Sequence, residues 1–69
     1  MNQDTFNMSL RKFLKTVGVG SQREIEQAVE KALSEGRLQG DETLPARVTL
    51  SVDGIDLKVD FTSDIKLEE

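Results

Sequence analysis

Residues 15–33 read KTVGVGSQREIEQAVEKAL, and the fold turns on what happens at Gly18, Gly20 and Ser21. Glycine suits the left-handed position just past a helix end, where a side chain is costly. Ser21 followed by Glu24 has the spacing of a capping box. The serine oxygen accepts a first-turn N–H, and the glutamate accepts the serine N–H. The stretch therefore predicts one helix ending at Gly18 and a second starting after Ser21. On that reading Ser21→Ala costs about 1 kcal/mol. Two structures share the outline: a helix-turn-helix that reads DNA, and a plain pair of helices joined by a capped turn.

Upstream, Asn2 or Asp4 can cap the first helix. Phe6, Leu10, Phe13, Leu14 and Val17 recur at i, i+4, i+7, i+8 and i+11, a single apolar stripe of period 3.6. Arg11, Lys12 and Lys15 lie off the stripe, as does Met8, and three cations late in a helix complement its negative end. Downstream, Ile25, Ala28, Val29, Ala32 and Leu33 form the inward face of the second helix, and Gly36 ends it.

Residues 36–45, GRLQGDETLP, have loop composition. After them the period becomes two. Val48, Leu50 and Val52 alternate with Arg47, Thr49 and Ser51, and beyond Asp53-Gly54 the residues Ile55, Leu57, Val59 and Phe61 alternate again. Asp-Gly is the strongest two-residue hairpin signal. Pairing outward from it sets Val52 opposite Ile55, Leu50 opposite Leu57, Val48 opposite Val59 and Ala46 opposite Phe61. The other face then pairs Ser51 with Asp56, Thr49 with Lys58 and Arg47 with Asp60. Ile65 and Leu67 extend the alternation into a third strand or a tail.

The expected fold is one α+β domain over residues 1–69: two N-terminal helices packed on a C-terminal antiparallel hairpin, ααββ or ααβββ. A core this small and a sheet this thin invite a second chain, so a homodimer is expected.

Composition narrows the chemistry. The 69 residues hold no cysteine and no histidine, which removes disulfides, thiolate metal sites and the commonest general base. No leader is expected from MNQDTFNMSLRKF, and no apolar run approaches the ~20 residues that span a bilayer. A cytoplasmic location is the default. The net charge of −4 is uneven. Residues 1–23 carry Arg11, Lys12, Lys15 and Arg23 against Asp4, a net +3, and the remainder carries −7. Such asymmetry bears on partners rather than on fold.

The charge map weighs against DNA. A recognition helix brings cations to phosphates, whereas residues 24–35 carry Glu24, Glu26, Glu30 and Glu35 against Lys31, and Asp53, Asp56 and Asp60 follow on the hairpin. A winged-helix-like binder would have to use Gln22, Arg23, Gln27 and Lys31. GVGSQR lacks the third glycine, the preceding strand and the lysine of a phosphate-binding loop. The carboxylates fit a solvated face, with no calcium-loop spacing and no nucleophile–base pair. No enzyme, cofactor or metal is expected. The basic face of the first helix is too short of charges and aromatics to hold a membrane surface.

The whole-chain pattern resembles a family of short bacterial proteins of unknown function. The likeness rests on Thr5-Phe6-Asn7-Met8, Arg11-Lys12-Phe13-Leu14-Lys15, Val17-Gly18-Val19, Ser21-Gln22-Arg23-Glu24-Ile25-Glu26 and Thr43-Leu44-Pro45-Ala46. It implies a bacterial cytoplasmic protein and carries no site residues with it. Asn7, Met8, Arg11, Lys12 and Lys15 are not required by core packing or capping. They are the candidate surface for an unknown protein partner, and the expected function is a protein–protein interaction module.

Overall fold

The computed structural model describes residues 1–69. The chain divides into two compact units, Met1–Arg37 and Leu38–Glu69. The first is a helix, the second a two-stranded antiparallel hairpin, in the order α1 (Gln3–Ser34), β1 (Thr43–Val52), β2 (Leu57–Lys66). The α+β class stands as expected, and the two N-terminal helices do not: residues 3–34 form one unbroken helix.

The helix is bounded by local chemistry. Asn2, in extended conformation, accepts the Thr5 N–H on its side-chain oxygen at 3.0 Å. The N-cap is thus Asn2, and Ser21 lies mid-helix. Asp4 in the first turn and Lys31 in the last suit the helix dipole. At the other end Gly36 adopts φ +78°. Its N–H donates to the Leu33 carbonyl at 3.2 Å, and the Arg37 N–H donates to Ala32 at 2.9 Å. This paired closure is the Schellman motif, which needs the left-handed residue that glycine supplies. Gly36 ends the helix as the sequence predicts.

Gly18 and Gly20 cost the helix about 1 kcal/mol each relative to alanine, but they do not break it. The helix formers on both sides carry the hydrogen-bond ladder through, and the Thr16 hydroxyl adds a bond to the Lys12 carbonyl at 3.0 Å. A Cβ added at either glycine would meet nothing within 4 Å. With no turn between residues 15 and 33, the helix-turn-helix and winged-helix outlines do not form.

The hairpin keeps the expected faces but not the expected partners. Val52 stands opposite Leu57, Leu50 opposite Val59, Val48 opposite Phe61, Ala46 opposite Ser63 and Leu44 opposite Ile65. The alternate rows pair Ser51 with Lys58, Thr49 with Asp60 and Arg47 with Thr62. The connection is a four-residue turn, Asp53 to Asp56, with positive φ at Gly54 (+92°) and Asp56 (+51°). A two-residue Asp-Gly turn of type I′ would need positive φ at Asp53 and Gly54 instead. Ile55 therefore sits at the exposed tip rather than in the ladder. The register moves by two residues, and because side chains alternate with period two, each residue keeps its face.

Both strands run further than the alternation around Asp53-Gly54 predicts. Thr43, Leu44 and Pro45 belong to β1, and Asp64, Ile65 and Lys66 to β2. There is no third strand, because Ile65 completes the second. Pro45 is tolerated because each strand of a two-stranded sheet is an edge, with alternate N–H groups pointing away from its partner. At the open end the Leu67 N–H donates to the Glu42 carbonyl at 3.0 Å.

Candidate functional site

Only Ala32 is buried. The apolar stripe of α1 remains open to solvent, with Phe6 49%, Phe13 46% and Leu14 53% exposed. The apolar row of the hairpin is likewise open: Val48, Leu57, Val59 and Phe61 are all exposed. A fold normally removes such side chains from water, at roughly 25 cal/mol per Å² of apolar surface. Contiguous apolar surface of this kind marks interaction sites.

The expected partner-binding residues do come together in part. Asn7, Met8 and Arg11, joined by Asp4, line a shallow hollow on the surface of α1. Their spacing of i, i+3, i+4 and i+7 puts four side chains on neighbouring ridges of one helix. Met8 is 72% exposed. Two residues beyond Phe6, it lies about 200° further round the helix, on the side away from Phe6, Leu10 and Phe13. Lys12 and Lys15 extend the same outer side, and both are exposed. Asp4, read from sequence only as a cap, borders the hollow. The i, i+4 spacing to Met8 is the signal that places it there.

The alternative nucleic-acid contacts fare differently. Arg23, Gln27 and Lys31 stand four residues apart and share one row of the helix, while Gln22 lies off it. They occupy the second half of a continuous helix, interleaved with Glu24, Glu26 and Glu30.

Elsewhere the polar chemistry is local. A second open hollow crosses the hairpin between Arg47 and Asp64. Glu35 accepts two bonds from the Arg37 guanidinium, at 2.9 and 2.7 Å, and both side chains are exposed. Glu42 accepts the N–H of Gln39 at 2.8 Å and that of Gly40 at 3.0 Å. Those bonds, the one from Gln39 foremost, hold its carboxyl below the ordinary value of 4.5. No three carboxylates cluster in a way that could hold a metal ion. No helix is long and apolar enough to cross a membrane.

The helix and hairpin with their open apolar faces define a small α+β protein without a visible catalytic constellation. Residues 1–68 match the family of unknown function DUF6494, and the chain belongs to that family. No curated protein and no solved structure matches the chain.

Proposed function

We propose that this chain is a protein–protein interaction module that works as a homodimer and catalyses no reaction. The observation that carries the reading is the two-sidedness of α1. An exposed apolar stripe runs along one side, and on the other Met8 stands with Asn7, Arg11, Lys12 and Lys15. A lone exposed methionine amid cations is an adaptable apolar anchor within an electrostatic rim. The partner it suits is a protein with an acidic surface and a small apolar pocket. The missing histidine and cysteine support a binding role rather than a chemical one.

The test is affinity capture from a native lysate treated with nuclease, using the natural chain beside Met8→Glu and Lys15→Glu. Both substitutions lie on the exposed outer side, so helicity by circular dichroism should be unchanged. A defined protein retained by the natural chain and lost from both variants is the expected result. Retention by the variants refutes the site. Recovery that collapses on nuclease treatment favours the second reading, nucleic-acid binding through Arg23, Gln27 and Lys31, with binding that weakens steeply in salt.

A further inference from the structure

We propose that the apolar stripe of α1 is covered by the same stripe of a second copy of this chain, with the two helices antiparallel and crossing near Val17 and Ser21. The proposal rests on the homodimer reading above and gives it a geometry.

Three features of α1 point to it. The first is continuity. Phe6, Leu10, Phe13, Val17, Ser21, Ile25, Ala28 and Ala32 follow at steps of three or four with no slip, over about 39 Å of helix.

The second is size. The stripe is bulky in its first half, with Phe6, Leu10, Phe13 and Leu14, and mixed in its second, where Ala28, Val29 and Ala32 stand with Ile25 and Leu33. The midpoint of the helix falls between Gly18 and Val19. Turning one copy about that region brings Phe6 to Ala32, Leu10 to Ala28, Phe13 to Ile25 and Val17 to Ser21. Phe6 and Leu10 then each meet an alanine, the large-on-small fit that close packing favours, and Phe13 meets Ile25 nearer the crossing. A parallel pair would instead set Phe6 on Phe6 at one end and Ala32 on Ala32 at the other. Gly18 flanks the crossing, and its missing Cβ, which the chain's own packing does not demand, lets two backbones approach.

The third feature is charge. From Gln3 to Gly18 the helix holds Arg11, Lys12 and Lys15 against Asp4, a net +2, and from Val19 to Ser34 it holds Glu24, Glu26 and Glu30 against Arg23 and Lys31, a net −1. The helix dipole does not account for this, because it rewards charge only in the end turns. In the antiparallel pair the basic half of each copy runs along the acidic half of the other. By symmetry the contact occurs twice. In a parallel pair like charges would oppose one another.

The chain has no cysteine, so introduced thiols report the geometry directly. Leu10 and Ala28 are about 27 Å apart along one helix, beyond any disulfide within a chain. Chains bearing Leu10→Cys and chains bearing Ala28→Cys are mixed in equal amounts and oxidised. The expected product is a cross-linked pair from the mixture and none from either chain alone. Sedimentation of the natural chain should give twice 7.7 kDa. Cross-linking of each variant with itself overturns the antiparallel arrangement. A dimeric mass without the mixed cross-link overturns the helix seam and leaves the homodimer standing. A mass of 7.7 kDa at micromolar concentration overturns both.

Discussion

The Thr49 hydroxyl donates a 2.7 Å hydrogen bond to the Asp60 carboxylate, and the two residues stand directly opposite each other on β1 and β2. That bond marks the register. Were the turn the two-residue kind, Thr49 would face Lys58 and Asp60 would face Arg47. Cross-strand pairs of this type contribute roughly 0.2–1 kcal/mol. Thr49→Val should therefore lower hairpin stability by no more than about 1 kcal/mol, since valine keeps the β-branched shape. Asp60→Asn should cost less, because an amide oxygen still accepts. Nuclear Overhauser contacts between Val52 and Leu57, and none between Val52 and Ile55 as directly opposed residues, would check the register itself.

The middle of α1 separates a cap from an interior residue by the sign of a substitution. As an N-cap, Ser21 would lose about 1 kcal/mol on replacement by alanine. Inside a helix alanine is the better former, so Ser21→Ala should leave thermal stability unchanged or raise it by a few tenths of a kcal/mol. Gly20→Ala should raise it by about 1 kcal/mol, because the added methyl meets nothing within 4 Å. A fall in the melting midpoint of both variants would restore the two-helix reading.

Those residues also show where sequence reasoning stops. Gly18, Gly20 and Ser21 satisfy the rules for a helix end and a helix start, and local chemistry alone has no term for what continues through them. The discriminating signal was present in the stripe. Leu14, Val17, Ile25 and Ala28 stay in phase across the glycines, which two independent helices joined by a turn have no reason to do. In the hairpin, the alternation of Val48, Leu50 and Val52 with polar residues fixed the faces. The partners were less legible, because a shift of two residues preserves every face and Asp53-Gly54 fits more than one turn. The candidate surface was legible as residues that packing does not require, Met8 above all. Asp4 was missed because one role, as a cap, already accounted for it.

The two ends of α1 carry different costs. Asn2→Ala removes the side-chain acceptor of the Thr5 N–H and should cost about 1 kcal/mol of helix stability. Gly36→Ala places a side chain at φ +78° with no steric neighbour within 4 Å. The cost is then backbone strain alone, about 1–2 kcal/mol. Far-ultraviolet circular dichroism melts of the two variants should show both losses. Because the sites lie at opposite ends of the helix and share no partner, the effects should add in the double variant.

The Glu42 carboxylate sets a pH response at the open end of the hairpin. It accepts the N–H groups of Gln39 and Gly40, and these bonds lower its pKa below the ordinary 4.5. A carboxyl that is more acidic in the folded chain than in the unfolded one adds stability above the unfolded value. That contribution is lost as pH falls through the lower, folded value. Near neutral pH the loop from Gln39 to Glu42 should be closed, and acidification below 4.5 should release it. In an NMR titration the amide signals of Gln39 and Gly40 should move together with the Glu42 side chain, with a midpoint below 4.5. Glu42→Gln should abolish that shared step, since an amide does not titrate. Persistence of the step in the variant would show that the bonds Glu42 accepts are not its cause.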